Sequence, residues 1–123
     1  MKVVKVDIKR QQMMLFSGCT LLSTYPVSTA AKGVGEKKGS WMTPRGWHMV
    51  RAKIGAGKAV DTVFKARRPV GSYASLVQDH PDQDWILSRI LWLSGLEYGV
   101  NRLNGVDSMQ RYIYIHGSPT PMD

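Results

Sequence analysis

The sequence predicts a mainly β domain with short irregular connections, and three observations carry that reading. Segments near the two ends, Lys2 to Ile8 and Arg111 to His116, are rich in β-branched and aromatic residues. Glycine, proline and serine clusters cut the chain into pieces of strand length. The most apolar window, Asp84 to Leu93, is ambiguous between helix and strand by periodicity, but Ser94-Gly95 ends it at strand length.

Taken in order, Val3, Val4, Val6 and Ile8 favour an extended segment, and Gln12 to Phe16 makes a second in hairpin relation to it, with Ser17-Gly18 as the next turn. Thr20 to Thr29 is a third extended stretch, in which Pro26 requires an edge position or a bulge. From Ala31 to Arg45 glycines alternate with lysines and the stretch closes on Thr43-Pro44-Arg45-Gly46, which is turn chemistry over a long loop. Such a loop is usually functional or disordered. Trp47 to Ile54 alternates as a strand and Gly55-Ala56-Gly57 ends it. Val60 to Phe64 is a short extended piece, followed by a basic run at Lys65, Arg67 and Arg68. Ser75 to Gln78 reads as a helical turn interrupted by His80-Pro81-Asp82. Leu96 to Gln110 is a polar connection, and Arg111 to His116 is the clearest strand.

A length of 123 residues predicts a single domain spanning 1–123. Net charge is +8 and 43% of residues are hydrophobic, a basic globular composition that excludes intrinsic disorder. The single cysteine, Cys19, excludes an internal disulfide framework and a multi-cysteine zinc or iron–sulfur site. No histidine pair stands at ligand spacing, so no metal is expected. No apolar stretch reaches the length of a membrane helix, and the N-terminus lacks the apolar core and cleavage site of a secretory signal.

Two glycine patterns fail as nucleotide sites. Gly33-Val34-Gly35-Glu36-Lys37-Lys38-Gly39 has its third glycine one place too late for a dinucleotide fingerprint, and Gly55-Ala56-Gly57-Lys58 lacks the earlier glycine and the following hydroxyl of a phosphate loop. Positive charge between Lys32 and Arg68, with Trp41, Trp47, Phe64 and Tyr73 as stacking candidates, raises a nucleic-acid surface, but the aromatics do not alternate with the basic residues on one strand. Nucleic acid is therefore not the expected partner. Cys19 reads as a hairpin residue with nothing near it to lower its thiol pKa, and His48 and His80 read as packing or surface residues. His116 differs: it ends an apolar strand and Gly117 follows at once, permitting a close backbone approach where scaffolds present side chains to a site.

The stretches Tyr25-Pro26-Val27-Ser28-Thr29-Ala30, Gly39-Ser40-Trp41-Met42-Thr43-Pro44-Arg45-Gly46 and Tyr112-Ile113-Tyr114-Ile115-His116-Gly117 occur in this order after a strand pair. In that order they resemble the L,D-transpeptidase catalytic domain of bacterial cell-wall enzymes. The resemblance implies a β-sandwich with short helical connections that cross-links peptidoglycan stem peptides without a cofactor. A cysteine thiolate attacks the third residue's carbonyl, D-alanine leaves, and an amine from a neighbouring stem resolves the thioester. By the same resemblance His116 is the catalytic base, and the Gly117 carbonyl and Ser118 hold its ring. A thiol with an ordinary pKa near 8.5 needs such a histidine. The charge of the Lys32–Arg45 loop makes Lys37 and Lys38 the expected seats for stem-peptide carboxylates, with Tyr114 as a further expected substrate contact.

The family's nucleophile lies in a Ser-His-Gly-Cys motif more than a dozen residues beyond His-Gly, and Cys19 does not align with it. The expectation is therefore a domain whose C-terminal strands and nucleophile are missing, inactive alone, with an exposed edge open to self-association. The resemblance places the working protein in the cell envelope or periplasm, although no signal peptide is visible. The alternative is a non-catalytic basic module that binds peptidoglycan or nucleic acid.

Overall fold

The valines at 3, 4 and 6 favour extended backbone, and Lys2–Asp7 forms β1 in the computed structural model, which describes residues 1–79 and 85–119. β1 pairs antiparallel with β2 (Gln12–Ser17), and β2 pairs antiparallel with β3 (Thr20–Pro26). Gly18 takes φ +59 in the turn between β2 and β3, a conformation glycine adopts without a Cβ penalty. β3 lies at the sheet edge and ends at Pro26, where a missing N–H removes no interior ladder bond.

The second sheet is formed by β4 (His48–Ile54), β5 (Thr62–Lys65), β6 (Arg68–Ser72), β7 (Ile86–Gly95) and β8 (Tyr114–Gly117) in the order β4-β7-β5-β6, with β8 also on β7. Leu91 and Trp92 pair with β4 and β8 at once, and Leu87 pairs with β5 and β8. So β8 runs along one side of β7, while β5 and β4 share the other in succession. The mainly β expectation with two antiparallel sheets holds, and the helical content of the described residues is the single turn α1 (Tyr73–Leu76), capped by the Ser72 hydroxyl.

The core belongs to the second sheet. Val63, Phe64, Trp85, Leu87 and Ile90 are its buried apolar residues, and Tyr73 of α1 packs edge-on against Trp85 with centroids 5.5 Å apart. No residue of β1, β2 or β3 is buried, and Val4, Val6, Leu21, Leu22 and Tyr25 stand exposed.

Arg68–Ser72 forms a strand, β6, where the sequence reading noted only a basic run; it sits at the sheet edge, where Pro69 and Gly71 are tolerated. Three sequence expectations need correction. Arg111, Tyr112 and Ile113 precede the strand expected to contain them, because Tyr112 takes φ +57 and the N–H groups of all three bond back to carbonyls within Asp107–Met109. The helical turn begins at Tyr73, not Ser75. Phe64 is only 4% exposed, which removes it from any stacking surface. The expectations placed on His80, Pro81, Asp82 and Asp84 lie outside the described residues.

Gly95 closes β7 against Asn101, and a Cβ built on it overlaps Asn101's backbone carbonyl and side-chain amide oxygen. Gly95→Ala is expected to lower stability by about 1–3 kcal/mol, the usual range for overpacking a filled site. An unchanged urea midpoint would show that Asn101 can move away.

Candidate functional site

His116 projects from β8 opposite Ile90, and Gly117 faces Leu87, so two residues of β7, Ser88 and Arg89, bulge out between the pairs. Ser88 takes φ +69, and its hydroxyl donates to the Val60 carbonyl. A Cβ on Gly117 would lie 2.8 Å from the Leu87 carbonyl and 2.9 Å from Ser88 Oγ, so no larger residue fits behind the histidine without movement. His116 itself is exposed, and its Nδ1 stands 2.7 Å from the Gly117 carbonyl. A carbonyl only accepts, so Nδ1 is the nitrogen that carries a proton here, and in the neutral ring Nε2 is the one that can accept another. Ser118 follows β8 on the surface.

Tyr114 occupies the same face of β8 two residues earlier, opposite Trp92. Their rings meet edge to face at 5.7 Å, and Tyr112 leans on Trp92 at 5.9 Å. Arg67 lies over Trp92 and Tyr112, 5.1 and 4.9 Å from the ring centroids, and its Nη1 donates to the Tyr114 hydroxyl at 3.1 Å.

The glycine- and lysine-rich loop before β4 is ordered by two arginines. Arg45 forks onto the Glu36 carboxylate, Nε and Nη2 each at 3.1 Å. That hydrogen-bonded guanidinium outweighs burial and holds the Glu36 carboxyl below its ordinary value. Arg111 donates to the carbonyls of Gly35, Glu36 and Met42, the last at 2.7 Å, and to Ser40 Oγ. Burial pushes the Arg111 guanidinium down from its ordinary value.

Behind β4 and β7, Asn101 is fully buried: its Nδ2 donates to the Arg45 and Trp47 carbonyls and its Oδ1 accepts from Glu97 N–H. Gly46 takes φ +90 there, and a Cβ on it would overlap the Glu97 carboxylate that accepts from Trp47 N–H at 2.7 Å. His48 Nδ1 donates to the Gly46 carbonyl at 3.0 Å, which leaves Nε2 to accept from the buried Ser108 hydroxyl at 2.7 Å. Ser108 has no surface open to a substrate, so the pair braces the fold. Burial alone would raise the Asp107 carboxyl, but N–H groups of Leu103, Gln110 and Met109 and the charge of Arg102 outweigh it and hold the group low.

Of the residues singled out from sequence, His116, Gly117 and Tyr114 share one strand. Lys37 and Lys38 sit exposed on the Arg111-bound loop, and among the described residues no hydrogen bond or ion pair links them to His116. Cys19 is exposed in the turn between β2 and β3, in the other sheet. Sequence reasoning missed Arg67, Asn101, Ser108 and Arg111. Arg67 looked like part of a solvated basic run, and the other three lie in or beside a stretch with no periodicity. Among the described residues no three His, Cys, Asp or Glu side chains converge to hold a metal, and no helix is long and apolar enough to cross a membrane.

With folded pKa values depressed, Glu36 and Asp107 bind fewer protons in the folded chain than unfolded, so their stabilisation is complete above their ordinary 4.5 and 3.8 and is lost as pH falls through the lower folded values. Urea midpoints are expected to drop on acidification below about pH 4, less steeply in Glu36→Gln. A slope unaffected by that substitution would assign the acid sensitivity elsewhere.

A family model described as the L,D-transpeptidase catalytic domain (YkuD) matches residues 1–123. No curated protein and no solved structure gives a significant match.

Proposed function

The chain belongs to the L,D-transpeptidase catalytic-domain family, and from that premise we propose that these residues supply the base and substrate platform for peptidyl transfer between peptidoglycan stem peptides. The observation that carries this reading is the 2.7 Å contact between His116 Nδ1 and the Gly117 carbonyl, which leaves Nε2 free to act. In the family reaction a thiol gives its proton to such a nitrogen as the sulfur attacks the third residue's carbonyl. The imidazolium then protonates the departing amine of D-alanine, and the acceptor amine later passes its own proton back through the same nitrogen as it displaces the thioester sulfur.

Cys19 is not the thiol of this scheme. It is the single cysteine of the 123 residues and lies in the β2–β3 turn, whereas His116 lies in the other sheet. Among the described residues no hydrogen bond joins Cys19 to His116, and on this reading the 123 residues supply the base and not the nucleophile. Tyr114 and the lysines Lys37 and Lys38 are the candidate contacts to the stem peptide, since Arg45, the remaining cation at the end of that loop, is already occupied by Glu36. The working protein acts in the cell envelope, where its substrate is.

A second reading, a non-catalytic basic module, draws support from Trp41 and Trp47, 79% and 66% exposed at either end of the Thr-Pro-Arg-Gly turn. The two readings separate in a binding experiment. A stem tetrapeptide is expected to shift the His116 ring resonances. Affinity for any polyanion that falls steeply with salt, with no response to the tetrapeptide, would favour the second reading.

A carbapenem acylates the nucleophilic cysteine of this family, and intact-mass analysis after incubation with one is expected to show no adduct on these 123 residues. An adduct at Cys19 would overturn the assignment of roles.

A further inference from the structure

We propose that Arg67 is a specificity-determining residue that binds the terminal carboxylate of the peptide presented to His116. This rests on the peptidyl-transfer reading and goes beyond it by naming the group recognised and the side chain that recognises it.

Arg67 sits in the two-residue turn between β5 and β6, closed by the Lys65↔Arg68 pair. Ala66 and Arg67 take φ +48 and +65, the left-handed pair of a type I′ turn, which glycine or asparagine would fill with less strain. The strained turn aims the side chain across the sheet onto Trp92 and Tyr112, and the Tyr114 hydroxyl takes one of its five N–H groups. The ion pairs among the described residues are Arg10–Asp7 and Arg45–Glu36, so among those residues the half-buried Arg67 pairs with no carboxylate. Rings cover it where water would otherwise solvate the charge, while the donors not used by Tyr114 keep the planar fork that fits a carboxylate.

Its placement matches the reaction. Tyr114 and His116 lie on one face of β8, two residues and about 7 Å apart along the strand. About two residues of extended peptide span that distance. A peptide whose carbonyl is held near His116 and whose chain runs along β8 toward Tyr114 therefore directs its terminal carboxylate to the side on which Arg67 bonds the Tyr114 hydroxyl. Other cations near the site are less suited. Arg89 donates to the Ser88 carbonyl, and Arg111 is consumed by its loop.

The test compares a stem tetrapeptide ending in free D-alanine with its C-terminal amide, titrated calorimetrically into the wild-type chain and into Arg67→Gln. The wild type is expected to bind the acid about tenfold more tightly, the scale of a charge-assisted hydrogen bond, and Arg67→Gln to lose that preference. Tyr114→Phe, which removes the hydroxyl that holds the guanidinium in place, is expected to shrink the preference and serves if Arg67→Gln does not fold. Equal binding of acid and amide by the wild type, or a preference retained in both variants, would overturn the role of Arg67 and leave the peptidyl-transfer reading standing. Failure to bind either peptide would overturn both.

Discussion

The Arg111 guanidinium is the constraint on which the site depends. Three carbonyls and a hydroxyl of the 35–42 loop accept from it, and the chain from Arg111 runs through Tyr112 and Ile113 directly into the strand bearing His116. One side chain thus fixes the loop that carries Lys37 and Lys38 to the segment that enters β8. Charged donors to carbonyls are among the stronger hydrogen bonds, and their burial makes the arrangement costly to leave half-made. Asp107 performs the complementary task one turn earlier, where its carboxylate accepts from Leu103 and Gln110 N–H. An acidic cap and a basic staple four residues apart shape a segment that has no regular secondary structure to shape it.

That division explains how much was legible in the sequence. β-Branched valines announced β1 and alternation announced β4, because both signals are local, whereas β7 was legible only from the length at which Ser94-Gly95 ends it. β6 was hidden behind the basic run that ends at Arg68, and its pairing with β5 makes it a strand. At Arg111–His116 local propensity pointed to a strand throughout, and the tertiary bonds of Arg111 won over its first half. Gly46 was visible as a turn residue, but the crowding that also demands glycine comes from Glu97, which is remote in sequence and bonds the neighbouring Trp47 N–H. The site divides similarly. His116-Gly117 was readable as a strand end with a following glycine, whereas Arg67 gained its meaning only when a hairpin turn laid it over aromatic rings from two later segments.

Stability is unevenly distributed between the sheets. Among the described residues the buried apolar side chains lie in or beside the second sheet, where β7 contributes Leu87 and Ile90. The first sheet holds by its ladder bonds and by Gln11, whose side chain bonds to Ile8 and Thr29. With no buried side chain in β1, β2 or β3, it has little hydrophobic stabilisation of its own, and three-stranded sheets need a packed face for independent stability. The exposed Val4, Val6, Leu21, Leu22 and Tyr25 give that sheet apolar surface it does not itself cover. The site is built on the sheet that has the core.

Why β7 bulges where it does follows from this arrangement. Leu87 pairs with β5 and Ile90 with β4, so the strand must change partners on one side within three residues. Ser88 and Arg89 absorb the change, and the displaced backbone comes so close to β8 and to the turn after β4 that Gly117 and Gly55 are the residues it meets. A Cβ at 117 would push β8 away from Leu87 and carry with it the carbonyl that holds His116 Nδ1. The glycine after the histidine is therefore needed twice, once for the space its missing side chain leaves and once for the oxygen it brings to the ring. A substitution there would alter the direction of Nε2 before it altered the fold, because β8 is an edge strand among the described residues and its last pair with β7 is free to open alone.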